Sequence, residues 1–315
     1  MLISICIPCY RSMETLPIVV DNIKKEFAKH DNHDYQIVLV NDGSPDATFE
    51  TIRNLCKEDE KIIGVDLTRN YGQAAAKIAA LQYYTGDVVV FMDDDGQHSA
   101  DGIFKLVDKL DEGYDVVYAH FESKKHSLFK RFTSFLHNWL AEQMGNKPKG
   151  VHRSSFVAWS KVVADSVKEY KSPFVSIGSY LVHITSKFSE VDMEHKERLT
   201  GNSRYTLKKL VKMWLNIFIS FSMVPLRMAS YLGFFFAISG MIAGLYLVIR
   251  KIIRPTIVAG YTSNMVMILL IGGIIMIILG IMGEYVGRIY MTISGMPQYS
   301  IRQSLNTNKD EQERG

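Results

Sequence analysis

Two stretches of the chain carry no charged residue. Met228–Ile249 reads MASYLGFFFAISGMIAGLYLVI, and Met265–Met282 reads MVMILLIGGIIMIILGIM. A helix needs about 20 predominantly apolar residues to cross the hydrocarbon of a bilayer, so each stretch is a candidate span. The competing reading, a pair of helices buried in a soluble core, suits uncharged runs of this length poorly. The runs divide the chain into a first domain over residues 1–205, a juxtamembrane segment over 206–227, a two-helix hairpin over 228–290 and a tail over 291–315. The juxtamembrane "LKKLVKMWLNIFISF" is basic at its start and apolar later, as a helix lying along a membrane surface is. Lys208, Lys209, Lys212 and Arg227 precede the hairpin, Arg288 and Arg302 follow, and Arg250, Lys251 and Arg254 lie between the runs. This balance leans towards both outer flanks facing the cytoplasm. The N-terminus starts on a strand-like run without a basic leader, and the first domain is expected to stay on the side where it is made. The closing "LNTNKDEQERG" is polar and expected to fray.

The first domain alternates short apolar runs with amphipathic ones. "ISICIP", "YQIVLVNDGS", "KIIGVDLTRN" and "DVVVFMD" read as buried strands. "ETLPIVVDNIKKEFAKH", "PDATFETIRNLCKED" and "GQAAAKIAALQYY" read as helices. Strict alternation predicts an α/β fold with a mostly parallel, doubly wound sheet, whose ligand sits at the carboxyl ends of the strands. Those ends are polar here: Pro8-Cys9-Tyr10, Asn41-Asp42-Gly43, Arg69-Asn70 and Asp93-Asp94-Asp95. The net charge of +3 on 315 residues is too small to indicate a nucleic-acid partner. Cys6 and Cys9 have a C-x-x-C spacing, but Cys6 lies within an apolar strand and no second cysteine pair follows. Cys6 is expected to be a small core residue rather than a metal or redox ligand.

The three aspartates after "VVVFM" need a positive partner, since neighbouring carboxylates repel and each is costly to desolvate. Hard oxygen donors suit Mg²⁺ or Mn²⁺. Asp93 and Asp95, spaced D-x-D, are the candidate ligands, and Gln97 continues the alternation with an amide oxygen. Asp94 is expected to point the other way.

Six segments occur in an order that resembles the family 2 glycosyltransferases of the polyprenyl-phosphate type: "IPCYRSMETL", "VNDGSPD", "LTRNYGQAAAKIAAL", "MDDDGQHSAD", "ERLTGNSRYTLKKL" and "GEYVGRIYMTISGMPQY". That group includes dolichol-phosphate mannose synthases and bacterial undecaprenyl-phosphate sugar transferases with two carboxy-terminal spans. The resemblance covers residues 3–300. It implies a GT-A fold, a nucleotide-sugar donor, a polyprenyl phosphate acceptor, a bacterial cytoplasmic membrane location and a homo-oligomer, a tetramer in the family. It assigns Pro8, Tyr10 and Asp42, with Asp93, to the nucleotide. It assigns Asp93, Asp95 and Gln97 to the cation, and Arg131, Arg198 and Ser203 to phosphate groups. Asp93, Asp95 and Arg198 would carry the catalysis.

The chain departs from the family in its middle. Relatives carry an acid and then Phe-Arg before a helix, where this chain reads "KGVHRSSFVAWSKVV". The arginine falls on Phe156 or Val157, and no acid stands at Gly150–His152. His152 or Arg153 could substitute. A further family arginine is absent from "AHFESKKH", with Lys124, Lys125, Lys130 and Arg131 nearby. The expected reaction is inverting transfer of a monosaccharide, from UDP-glucose or a UDP-N-acetylhexosamine, to undecaprenyl phosphate. The alternatives are transfer to a lipid-linked oligosaccharide and a non-catalytic membrane scaffold or translocation partner.

Overall fold

Ile3, Ile5 and Ile7 alternate with Ser4 and Cys6 along the first strand, and all five are buried. A strand covered on both faces has to be apolar on both, and this one sits in the middle of an eight-stranded sheet. The computed structural model describes residues 1–121, 150–173, 177–193 and 261–307, with scattered positions between 231 and 253. The chain forms two units, Met1–Arg204 with Pro297–Gly315, and Tyr205–Met296.

The described elements of the first unit are β1 (Leu2–Cys9), α1 (Leu16–Phe27), β2 (Asp34–Asn41), α2 (Thr48–Glu58), β3 (Ile62–Leu67), α3 (Gln73–Leu81), β4 (Val88–Phe91), α4 (Asp101–Asp111), β5 (Val116–Phe121), β6 (Val157–Ser160), α5 (Lys161–Lys168), α6 (Ile177–Ile184), β7 (Phe188–Met193) and β8 (Ile301–Leu305). The sheet order is β7-β5-β6-β4-β1-β2-β3-β8. Strands β3, β2, β1 and β4 are mutually parallel. β6 runs antiparallel between β4 and β5, β7 lies parallel to β5, and β8 lies antiparallel to β3. One face of the sheet packs Ile3, Ile5 and Ile7 against Leu16, Ile23, Ile52 and Ile103 of α1, α2 and α4. The other packs Val38, Val40 and Val89 against Ala76, Ala79 and Ala80 of α3 and Val163 of α5. The small residues of α3 let its backbone approach the sheet closely. The expected mostly parallel, doubly wound α/β sheet is present, and the order of its strands reverses between β1 and β4. Such a reversal opens a crevice at the carboxyl ends of the two strands.

The turn after β2 is pressed against the loop after β3. Gly43 has φ +61°, and a Cβ there would lie 2.3 Å from the Arg69 carbonyl carbon and 2.5 Å from the Asn70 nitrogen. Backbone cannot yield as a flexible side chain does. Gly43→Ala is therefore expected to cost roughly 2–4 kcal/mol, from overlap and a positive φ together. A lowered thermal midpoint of the full-length protein in detergent is the check.

The segment following residue 296 belongs to the first unit. In β8, Leu305 pairs with Gly64 and Ser304 with Val65. Asn306 donates through Nδ2 to the carbonyls of Cys56 (2.6 Å) and Ile62 (2.9 Å), and Gln298 donates to the carbonyls of Tyr170 (2.5 Å) and Ser172 (2.8 Å). The sequence suggested a polar tail here. "IRQSL" has apolar side chains only at its ends, so its hydrophobic pattern is weak; backbone pairing to the sheet edge fixes it together with Ile301 and Leu305, which pack against the core. Residues 308–315 lie outside the described residues.

In the second unit, α7 (Tyr261–Ile293) contains Ile271–Ile293, the one helix among the described residues long and apolar enough to cross a membrane. It extends past the uncharged run that ends at Met282, and Glu284 and Arg288 pair one turn apart there, at 2.7 Å. Of the first run, positions including Phe234, Phe235 and Tyr246 are described. These three are helical and exposed, and ten positions of the run lie outside the described set.

Candidate functional site

The crevice between β1 and β4 is bridged by the aspartate run. Asp94 turns its Oδ2 to the backbone N–H of Tyr10 at 2.9 Å, which ties the loop after β4 to the end of β1. Burial raises its carboxyl to about 6, although the Tyr10 N–H favours the charged form. The neighbouring Asp93 accepts from Gln73 Nε2 (2.7 Å) and Ser155 Oγ (2.5 Å). Its own N–H donates to Nδ1 of His98 (3.0 Å), a buried ring stacked on Phe156 with centroids 4.7 Å apart. Asp95 accepts the Gln97 N–H at 3.1 Å across Gly96, which has φ +73° and lets the loop turn back. Asp93 is thus held by two neutral donors, each oxygen keeping further lone pairs, while Asp94 is committed to the β1 end. This donor set, two carboxylates and the Gln97 amide, suits a hard divalent cation.

On the nucleotide side of the expected site, Pro8 is buried in β1 and the Tyr10 side chain is exposed. Arg11, with φ +58°, lies over the Tyr10 ring at 5.5 Å. Asp42 has a role that its sequence position does not reveal. Its Oδ1 accepts the Tyr71 N–H (2.7 Å) and its Oδ2 the Gly72 N–H (2.9 Å), so the carboxylate clamps the turn that starts α3. Burial pushes its pKa up, and the two N–H donors pull it down. Gln73, the next residue, reaches Asp93. Asp42, the α3 start and the aspartate loop are therefore one connected structure.

The region that departs from the family pattern is filled differently. Phe156 and Val157, where the family arginine falls, are both buried in the core. Two cations lie nearby. Lys77 on α3 is 9% exposed, donates to the Ser155 carbonyl (3.1 Å) and lies 5.0 Å from the Phe91 ring centre. Burial lowers its pKa to about 8, with Asp93 opposing the shift. Arg153 donates to the Gly178 carbonyl at 2.7 Å. An acid from β7 lies beside His152. Glu190 Oε2 accepts the His152 N–H at 2.8 Å and lies 3.3 Å from His152 Nδ1. His120, His152 and Glu190 bring ligand atoms within 4.8 Å of one another, a second group that could hold a metal ion.

Lys77 was visible in the sequence as the single charge in "QAAAKIAAL". Glu190 carried no signal, because only the β5–β7 pairing brings it near His152. Cys6 and Cys9 belong to opposite faces of the sheet, so they cannot share an ion. Arg131, Arg198 and Ser203 lie outside the described residues, as do Lys124, Lys125 and Lys130.

Residues 4–160 match the glycosyl transferase family 2 domain, and residues 224–289 match the GtrB C-terminal hairpin. The chain is 31% identical to the bactoprenol glucosyl transferase of Shigella phage SfX, over 96% of this chain and 99% of the relative. It is 30% identical to the undecaprenyl-phosphate 4-deoxy-4-formamido-L-arabinose transferase of Yersinia enterocolitica, over 98% and 95% of the two chains. Among solved structures, it resembles glucosyl-3-phosphoglycerate synthase from Mycobacterium tuberculosis, crystallised with Mn²⁺, UDP and phosphoglyceric acid. That match has a TM-score of 0.51 at 18% identity, over 69% of this chain and 76% of the other, a likeness of fold.

Proposed function

The chain belongs to glycosyl transferase family 2, among its polyprenyl-phosphate members, and from that premise we propose that it moves one monosaccharide from a uridine-diphosphate sugar to undecaprenyl phosphate with inversion at the anomeric carbon. Sugar transfer to a lipid phosphate follows from the family. The donor, the stereochemistry and the residue roles are this proposal. The observation that carries it is the aspartate loop at the β1/β4 reversal, tied by Asp94 to the Tyr10 strand end and by Asp93 to the start of α3.

Asp93, Asp95 and Gln97 would hold Mg²⁺ or Mn²⁺. A cation bound there would offset the charge of the donor diphosphate and of the departing nucleoside diphosphate. Tyr10 and Pro8 would form the wall for the nucleoside. Asp42 would keep the α3 turn, and so Gln73, in register with the aspartate loop. The lipid phosphate is already an anion at neutral pH and needs no strong general base, unlike a sugar hydroxyl. The site's task is then to gather two anionic substrates in line. Arg198, Ser203 and Arg131 are assigned to phosphate groups, an arginine offering a planar fork for bidentate contact. The sugar is expected to be glucose or an N-acetylhexosamine.

The test uses membranes containing the full-length protein, a panel of labelled nucleotide sugars and undecaprenyl phosphate. One donor is expected to yield a labelled lipid monosaccharide, with the yield abolished by a chelator and restored by Mg²⁺ or Mn²⁺. Label appearing only on a lipid-linked oligosaccharide would move the function to that acceptor. No turnover of any donor would leave the scaffold reading.

Connectivity bears on the membrane arrangement. Residues on both sides of 205–296 belong to the same folded unit, and a segment that leaves and rejoins one unit crosses a bilayer an even number of times. With Ile271–Ile293 as one crossing, the uncharged Met228–Ile249 would be the other. Basic flanks favour the cytoplasmic side for both ends, in a bacterial inner membrane. Single cysteines placed near each terminus are expected to resist impermeant thiol reagents in intact cells and to label after permeabilisation. Labelling of one end from outside would contradict the hairpin.

A further inference from the structure

A cavity of about 270 Å³ opens beside the aspartate loop, against α3, β5, β6 and the start of α6. Its lining includes Lys77, Arg153, Tyr118, Ser154 and Trp159, and among the described residues no acidic side chain lines it. Gln73 also lines it and donates to Asp93 Oδ1 at 2.7 Å, so one side chain separates the cavity from a proposed cation ligand.

Donors are in excess around this space. The buried Lys77 ammonium has three N–H groups and makes one hydrogen bond among the described residues, to the Ser155 carbonyl at 3.1 Å. Arg153 has five and, among the described residues, uses one, on the Gly178 carbonyl at 2.7 Å. Trp159, 1% exposed, contributes a wall of the cavity. A buried donor is costly to leave without an acceptor, and a site of this composition suits an acceptor-rich group. Lys77 is more than a counter-ion to Asp93. Its hydrogen bond goes to a carbonyl, and Asp93 already receives the Ser155 hydroxyl and the Gln73 amide.

We propose that this cavity is a subsite for an anionic oxygen group of a substrate, bound by Lys77 and Arg153. The group is either the phosphate of the lipid acceptor or a carboxylate on the transferred sugar. The volume suits one phosphate head or one sugar ring, below the roughly 300–1,000 Å³ of pockets for larger ligands. The inference rests on the glycosyltransferase reading. It supplies, from α3 and the loop before β6, the positive charge that Phe156 and Val157 do not provide.

Two variants of the full-length protein test it. Lys77→Met keeps an unbranched apolar stem in the buried position, and Arg153→Gln alters a more exposed one. In transfer assays each is expected to raise the KM for one substrate at least about tenfold, the scale of a lost charge-assisted contact. Affinity for Mn²⁺ with UDP should change less than about threefold. A rise confined to undecaprenyl phosphate identifies the lipid phosphate. A wild-type preference for a uronate-bearing donor over its neutral counterpart, erased in both variants, identifies the sugar carboxylate. A second arm needs no turnover: the thermal midpoint in detergent, with Mg²⁺ and UDP present, is followed against inorganic phosphate and against glucuronate. One of these should raise the wild-type midpoint and have no effect on either variant. If wild type transfers no sugar, the proposed function fails while this second arm still reads the subsite. Unchanged KM values together with equal anion responses in wild type and variants overturn the inference. So does a loss of Mn²⁺ affinity in step with rate, which would reduce Lys77 to a counter-ion of the aspartate loop.

Discussion

Asp95→Ala is expected to lower sugar transfer on the order of 10³-fold or more and to leave the protein folded and membrane-inserted. The size follows if Asp95 is, as proposed, a ligand to the cation that would offset a departing diphosphate. Structural survival follows from what Asp95 holds locally. It is half-buried and accepts the N–H of Gln97, two residues on, at 3.1 Å, a turn contact worth about 1 kcal/mol. Asp93 and Asp94 are worse probes. Replacing Asp93 frees Gln73 and Ser155, and replacing Asp94 unties Tyr10 from the loop. The measurement is an initial rate at limiting Mg²⁺ or Mn²⁺ beside a thermal midpoint. Near-normal turnover at limiting metal would remove Asp95 from the cation. Cation dependence that survives Asp95→Ala and disappears in His152→Ala would move the metal to His120, His152 and Glu190.

The strands that carry the aspartate loop were legible because burial on both faces writes itself as an unbroken apolar run. "ISICIP", "YQIVLV" and "VVVF" all lie in the parallel centre of the sheet. The polar residues where those runs stop were legible as the ligand edge for the same reason. What escaped was set by pairing rather than composition. β6 is a four-residue antiparallel insertion, "VAWS", whose neighbours β4 and β5 are remote in sequence. β8 is an edge strand with little apolar signal. Asp42 was read as lining the nucleoside pocket; its two oxygens also each meet a backbone N–H about thirty residues away, a partnership no local pattern encodes. Asp93 and Asp94 take different partners, Gln73 with Ser155 for the first and the Tyr10 N–H for the second, but the chain already turns at Asp94 and Asp95, so strand alternation does not account for that split. Lys77 was passed over because a lone lysine in a helix is ordinarily a solvated one.

Asp42→Asn shows whether the α3 turn is part of the site or only beside it. The substitution keeps the size of the side chain and replaces one acceptor oxygen with a donating NH₂ group. Both oxygens are engaged in the wild type, by Tyr71 N–H at 2.7 Å and Gly72 N–H at 2.9 Å, so one backbone donor must then face another donor. The side chain is 4% exposed, and water cannot readily take the vacated place. Losing one hydrogen bond to a charged group and stranding its partner costs roughly 2–4 kcal/mol. The effect does not stop at Gly72. Gln73 follows directly and holds Asp93, so a displaced turn reaches a proposed cation ligand through a single residue. Nucleotide affinity, by calorimetry with Mg²⁺ present, is expected to fall at least tenfold, with transfer falling about 10²-fold and the thermal midpoint dropping. Asp42→Ala strands both amides and should lower the midpoint further. If Asp42→Asn instead keeps its midpoint and loses only nucleotide affinity, the turn tolerates the exchange. Asp42 would then serve the nucleoside directly, through lone pairs that the two backbone amides leave open.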